Sequence, residues 1–348
     1  MAADRAQIPD EKPAPSSAKR VAALVLGTLL LVAAANEAAR QVLRAATPNI
    51  GYALVPQKWR LLQARTHPVD WLLLGDSACN QGLDPAQWSR VLGGEALNLC
   101  TVASSLALDA AWMLDWHVQN LGPPGAVAVI HAHHLWHREL EPFAVAHVPL
   151  PWGFWSRRGP ALHPGLHWQV QAALARYVPL YAEHRSLARI GMRPWLARRH
   201  YRVDERGFMR VERARGDGVA RDAARRLAWL EAQDGVHISP ENRAALAHLG
   251  MLADRHGFDV YLARPPVHRS LASSPAYRRF AAELDRALRE LASPYARLHV
   301  LGGEHVFDTA DMQNADHLLA DAAARYTRAL AAEVGRRHTP VLAGRREP

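Results

Sequence analysis

DWLLLGDSACNQGLDP, residues 70–85, opens with four apolar residues, Trp71 to Leu74, set between a charge and a glycine. A short unbroken apolar run suits a strand buried on both faces of a parallel sheet. Gly75 ends the run, and Asp76 and Ser77 follow at the strand's C-terminal edge, where open α/β sheets place their ligands. Asp84-Pro85 reads as the start of the next helix. A serine at such an edge presents its hydroxyl while the sheet holds its backbone rigid.

Downstream, the residues predict a helix from about Pro85 to Leu92 and a short strand, Ala96 to Cys100. A helix over Ser104 to Leu121 follows, capped by Ser104 or Ser105, and then a third buried strand, Gly125 to Ile130. This β-α-β-α-β order implies a parallel sheet with right-handed crossovers. From about His137 to Val236 the rhythm breaks. The segment is first rich in Trp and Pro (PLPWGFW, HPGLHW), then basic (ARRHYRVDERGFMRVERARG), and ends in a helix, Val219 to Gln233. It reads as an insertion forming a cap or substrate platform, with aromatics filling a cap core and arginines on a solvated face as the alternatives.

The α/β pattern resumes with a helix from Ser239-Pro240-Glu241 to His256, closed by Gly257. Strand Phe258 to Ala263, the Arg264-Pro265-Pro266 loop, helix Pro275 to Leu291, strand Leu298 to Leu301 and helix His317 to Gly335 complete it. The expected class is α/β, a flavodoxin-like three-layer α/β/α domain over residues 68–336. Residues 46–67 are expected to be a surface connection punctuated by Pro48 and Pro56, and residues 337–348 a disordered tail.

A chain of 348 residues with 49% apolar and 22% charged residues has the composition of a globular protein. Its net charge of +9, from 42 basic and 33 acidic residues, favours acidic partners such as anionic lipid headgroups or acidic polymers. No motif supports nucleic acid. Residues 1–20 form a polar, disordered leader ending in Lys19-Arg20. Val21 to Ala35, VAALVLGTLLLVAAA, is then apolar apart from Thr28, and helix-prone residues carry it to about 45. Fifteen residues fall short of the ~20 that span a bilayer, and the flanks must complete the span. Three readings compete: a signal anchor, a signal peptide cleaved after Ala33-x-Ala35, and a helix packed inside a soluble domain. With Lys19 and Arg20 inside, an anchor leaves the domain outside the cytoplasm.

Gly75-Asp76-Ser77 resembles block I of the SGNH/GDSL hydrolase superfamily, with Ser77 as the nucleophile. FDTADMQNADHLLADAAARYTRALAAEV, near the C-terminus, resembles the last block, with His317 as the catalytic base at a helix head. The resemblance covers residues about 68–335 and is closest to the membrane-anchored branch associated with O-acylation of extracellular polysaccharides. It implies an SGNH-like fold, an acyl-bearing glycan as substrate, no required cofactor, and a multi-spanning membrane acyltransferase as partner. The family's last block carries an Asp three residues before the His; that position here is Asn314, which holds a ring but cannot offset its charge. Asp311 or Asp308 supplies the carboxylate instead, with Asp316 pointing away as a helix cap; a dyad is the alternative. Oxyanion donors would come from the Ser77 region with Asp76, from the backbone of Ala103 in NLCTVASS, and from His131, His133 or His134 in VIHAHHLWH, where the family has Asn.

A histidine cluster also invites a metal, but no carboxylate or cysteine stands at ligand spacing, and none is expected. Cys79 and Cys100 lie near the ends of neighbouring strands. Either a disulfide braces the Ser77 loop of an exported domain, or two thiols are buried separately. Two other functions stay open: a non-catalytic glycan-binding or assembly subunit, and a soluble lipid esterase, which requires Val21 to Ala35 to pack inside the domain.

Overall fold

The computed structural model describes residues 17–46, 51–184, 187–188, 203–212 and 218–338. The leader up to residue 16, the tail from 339 and much of the basic run of the insertion lie outside the described residues. Five strands, β1 (Trp71–Gly75), β2 (Ala96–Asn98), β3 (Ala126–Ile130), β4 (Asp259–Ala263) and β6 (Leu298–Val300), form one sheet in the order β2-β1-β3-β4-β6. Every pairing is parallel, with Trp71 beside both Ala96 and Ala126 and Ala126 beside Asp259. Beyond the ends of β4 and β6, β5 (Val267–His268) and β7 (Val306–Phe307) make a second, two-stranded parallel pair.

Burial on both faces explains the apolar runs. Leu72, Leu74, Val127, Val129, Val260 and Leu262 join one core with the helices α5 (Leu108–Asn120), α10 (Pro240–His256) and α12 (Pro275–Ala292). Trp71, Leu73, Ala126, Ala128, Ile130 and Tyr261 join another with α3 (Ser77–Gly82), α4 (Pro85–Leu92) and α13 (Ala320–Gly335). The order reverses between β1 and β3. Such a switch point opens a crevice at the C-terminal strand ends, and Ser77 follows β1 there.

Three expectations are corrected. Residues 46–67 contain a packed helix, α2 (Leu54–Gln63), with Leu54, Val55, Lys58, Trp59 and Leu62 buried; Pro56 sits in its first turn, where no intrahelical N–H is lost. The helix expected from Ser104 begins at Leu108, because Ala103–Ser105 form a 3-10 turn and Leu106 takes φ 57°. The side-chain oxygen of Asn242 accepts the Ala107 N–H (3.0 Å) and performs the capping expected of a serine. The last helix begins at Ala320, so His317 lies in the loop before it. Val21 to Ala35 belongs to a helix, α1 (Ser17–Ala46), whose apolar side chains face outward, Leu24 and Leu31 being more than 70% exposed. It is long and apolar enough to cross a membrane.

The insertion contributes α6 (Pro142–Ala146), α7 (Leu166–Tyr177), α8 (Pro179–Ala182) and α9 (Gly218–Glu231). Its aromatics are core material: Phe154 meets Trp112 of α5 at 4.9 Å, and Trp155 packs on Phe154 and Trp168. Its turn Asp204–Phe208 closes the exposed edge of β2, where the Asn98 N–H donates to Arg206 O (2.8 Å). Lys58, fully buried, donates to Asn98 O, Asn98 Oδ1 and Gly207 O. Burial drives its pKa well down, yet three acceptors match the three protons of an ammonium better than the two of an amine.

Cys79 and Cys100 form a disulfide, with Cα atoms 5.7 Å apart. It joins the turn after Ser77 to the stretch that leads from β2 to Ala103. For a sequence separation of 21 residues, loss of the cross-link is expected to cost about 3 kcal/mol. Denaturant midpoints with and without reductant measure this, and coincident curves would contradict it.

Candidate active site

Gly75 and Asp76 are fixed from both neighbouring strands. The Thr101 N–H donates to Gly75 O (2.8 Å), and the Asp76 N–H donates to Ile130 O (3.3 Å). The Asp76 carboxylate caps α3 by accepting the Ala78 N–H (2.9 Å), and its other oxygen accepts the Ala132 N–H (2.8 Å). Both oxygens are therefore acceptors that tie the end of β1 to that of β3, so Asp76 is a clamp rather than an oxyanion donor. Burial, with Asp316 nearby, pushes its pKa up to about 6, against the opposing pull of the two N–H groups and His317.

Ser77 is half-buried at the first position of α3. Its hydroxyl and its N–H donate to no described residue, and neither does the Ala103 N–H. A first-turn N–H is ordinarily unpaired. Ala103 is half-buried at the start of its 3-10 turn.

The His317 loop stands over the same sheet end. Leu318 and Met312 join the core containing Leu73 and Cys79. Behind the loop, Thr327 of α13 donates to Gly82 O (3.0 Å) and accepts the Asp84 N–H (3.0 Å). The helices that follow Ser77 and His317 are thus bound side by side. The charge of His317 reaches Asp76, the neighbour of Ser77. His317 Nε2 is buried and makes no hydrogen bond, to Ser77 or to any other described residue; in unliganded sites such contacts are often long.

The carboxylate beside the imidazole belongs to Asp316. Its Oδ1 lies 3.2 Å from His317 Nδ1, a contact outside hydrogen-bond angles. Its Oδ2 accepts from Arg226 of α9 (2.8 Å). Burial raises its pKa, but His317, Arg226, His134 and His133 together outweigh burial and hold it below the usual carboxylate range. Asp222, one turn before Arg226, accepts the Ala315 N–H (3.1 Å). The insertion therefore holds the loop through one ion pair and one hydrogen bond from a backbone N–H.

Asn314 and Asp311 are placed differently from expectation. Asn314 Oδ1 accepts the N–H groups of Asp316 (3.1 Å) and His317 (2.9 Å), an Asx-type turn that spends the side chain on backbone. Asp311 pairs with Arg325, and Asp308 with Arg269. Asp316 is not a helix cap, because three residues separate it from α13.

His131 directly follows β3, and His133 opens the 3-10 turn His133–His137. His131 is buried edge-on against Trp136 with both ring nitrogens unpartnered, and burial holds its pKa near 3. His133 Nε2 meets the Tyr277 hydroxyl at 3.2 Å. Both line a cavity of about 30 Å³ with Trp136, Arg264 and Asp285. That space suits about two waters and excludes a sugar. Among the described residues, no three His, Cys, Asp or Glu side chains are arranged to hold a metal ion.

The titrating groups give a pH expectation. Burial holds His117 and His134 near 4 and His131 and His133 near 3, so the unfolded chain takes four protons near pH 6.5 that the folded chain refuses. Asp76 and Asp109, raised to about 6 chiefly by burial, work the other way. Near pH 5 these six groups together bind about two more protons in the unfolded chain than in the folded one. Stability is expected to fall as pH drops from about 6.5 to 4. Urea midpoints at pH 7 and pH 5 test this; a higher midpoint at pH 5 would contradict it.

Compared with known proteins, the chain matches no family model and no curated sequence. The site therefore rests on geometry. Sequence reasoning set Asp316 aside as a helix cap and missed Arg226 and Asp222 altogether. Adjacency to His317 was a signal for Asp316, whereas nothing singles out Arg226 among the arginines of its helix.

Proposed function

We propose that this chain is a membrane-anchored, SGNH-like serine enzyme that transfers or hydrolyses an ester-linked acyl group, acetyl in the simplest case, on an extracellular or periplasmic polysaccharide. The observation that carries the reading is the Asp316–His317 contact, on a loop close enough for His317 to act electrostatically on Asp76, the neighbour of Ser77. Ser77 Oγ attacks the ester carbonyl as His317 takes its proton. The N–H groups of Ser77 and Ala103 face the oxyanion, and collapse releases the alcohol, protonated by His317. Water or a sugar hydroxyl then attacks the acyl-enzyme, with His317 again the base.

An anchored, exported domain is supported by the outward-facing α1, by Lys19 and Arg20 near its N-terminal end, which the positive-inside rule would keep in the cytoplasm, and by a disulfide suited to an oxidising compartment. A multi-spanning acyltransferase supplying acyl groups across the membrane fits this place. A second reading, a glycan-binding or assembly subunit of the same fold, is favoured by the unbonded, buried His317 Nε2.

Release of acetate from an acetylated polysaccharide and from p-nitrophenyl acetate separates them. The first reading predicts turnover by the native protein and its loss in Ser77→Ala. Equal, background-level rates in both proteins would support the second.

A further inference from the structure

Helix α7 has two unlike faces. Ala172 and Ala175 are buried and Trp168 packs on the core. On the opposite side Leu166, Val170, Leu174 and Tyr177 follow at intervals of four, four and three residues, which is one stripe of an α-helix. They are 78%, 48%, 38% and 53% exposed, and Tyr181 of α8, at 41%, extends the stripe. A row of large apolar side chains left to water on one helix marks a surface that meets something else.

Its position says what. Asn36 is the first polar residue after the apolar run of α1, and it is bonded on both sides to the α7–α8 junction. Its Nδ2 donates to Tyr177 O (2.8 Å), and its Oδ1 accepts the Leu180 N–H (3.2 Å). The end of the stripe is therefore fixed at the level where α1 passes from apolar to polar. Tyrosines are favoured at that depth of a bilayer. Charge agrees: residues 185–202 hold six arginines and no acidic residue.

We propose that the α7 stripe is a membrane-contact surface, seated in the headgroup region of the bilayer that α1 crosses, so that the domain rests on the lipid instead of swinging from its anchor. The partner is a phospholipid surface with anionic headgroups. An amphipathic helix with basic flanks lies in such an interface by burying its apolar stripe among the acyl-chain ends. The proposal rests on reading α1 as a membrane span.

The test uses the full chain, with its disulfide intact, in nanodiscs of phosphatidylcholine and phosphatidylglycerol containing nitroxide-labelled lipid. A nitrobenzoxadiazole dye is attached at one added cysteine at a time: Val170→Cys in the stripe, Leu29→Cys in α1, and Val91→Cys in α4 on the other face of the sheet. The proposal predicts quenching and a blue-shifted emission at 170 as well as 29, with neither at 91. Adding Leu166→Asp and Leu174→Asp should abolish the effect at 170 and spare that at 29. Quenching at 29 with position 170 behaving like 91 would overturn the proposal, leave the span standing and point to a protein partner for the stripe. Absence of quenching at 29 would overturn the span and the proposal with it.

Discussion

Asp316→Asn is expected to lower ester turnover by about 10²–10⁴-fold, the range for removing the charge that orients and stabilises a catalytic imidazole. The basis is the 3.2 Å contact between Asp316 Oδ1 and His317 Nδ1. The substitution also leaves Arg226 without its carboxylate, so a structural loss must be separated from a chemical one. Arg226→Met breaks the same ion pair while leaving the carboxylate beside the ring; it is expected to reduce stability more than turnover. Asp311→Asn removes a half-exposed pair with Arg325, worth about 0–1 kcal/mol, and should leave the rate nearly unchanged. Asn314→Asp retains an acceptor for the N–H groups of 316 and 317 and should remain active. The kcat values of the four variants check this. Near-native turnover by Asp316→Asn would remove Asp316 from the mechanism.

Gly75→Ala is expected to prevent folding, a loss above about 4 kcal/mol. Gly75 has φ 147°, and a Cβ there would lie 1.9 Å from Ile130 O and 2.9 Å from its carbonyl carbon. Neither can yield cheaply. Ile130 O is held in the sheet by the Asp76 N–H, and separating β1 from β3 would open the switch-point crevice itself. The glycine thus allows the two strand ends to close on each other while Asp76 turns to cap α3. Circular dichroism and protease resistance of the purified variant measure the effect; a cooperative melt near that of the native protein would contradict it.

The sheet was legible because its residues carry one signal. WLLLG and AVAVI are buried at every position, and an unbroken apolar run has few other homes. Helices with a capping serine and a following proline, as at Ser239-Pro240, were equally plain. What failed depended on contacts distant in sequence. The start of α5 is set by Asn242, 135 residues away. The buried face of α2 reads as an amphipathic helix only once Pro56 is allowed in a first turn.

The site divides along the same line. Ser77 and His317 stand in recognisable local settings, but the role of each loop side chain is decided by what comes to meet it. Asn314 serves the turn, Asp311 meets Arg325, and Asp316 is turned toward the imidazole by Arg226 from the insertion. No local pattern encodes that last contact, since the two residues are 90 positions apart.

Whether Ser77 is a nucleophile activated by His317 is tested most directly by labelling the full-length protein with a fluorophosphonate and locating the adduct by mass spectrometry. The account predicts one adduct, on the peptide that contains Ser77, and none in Ser77→Ala or His317→Ala of native fold. Labelling elsewhere, or undiminished labelling in His317→Ala, would contradict it.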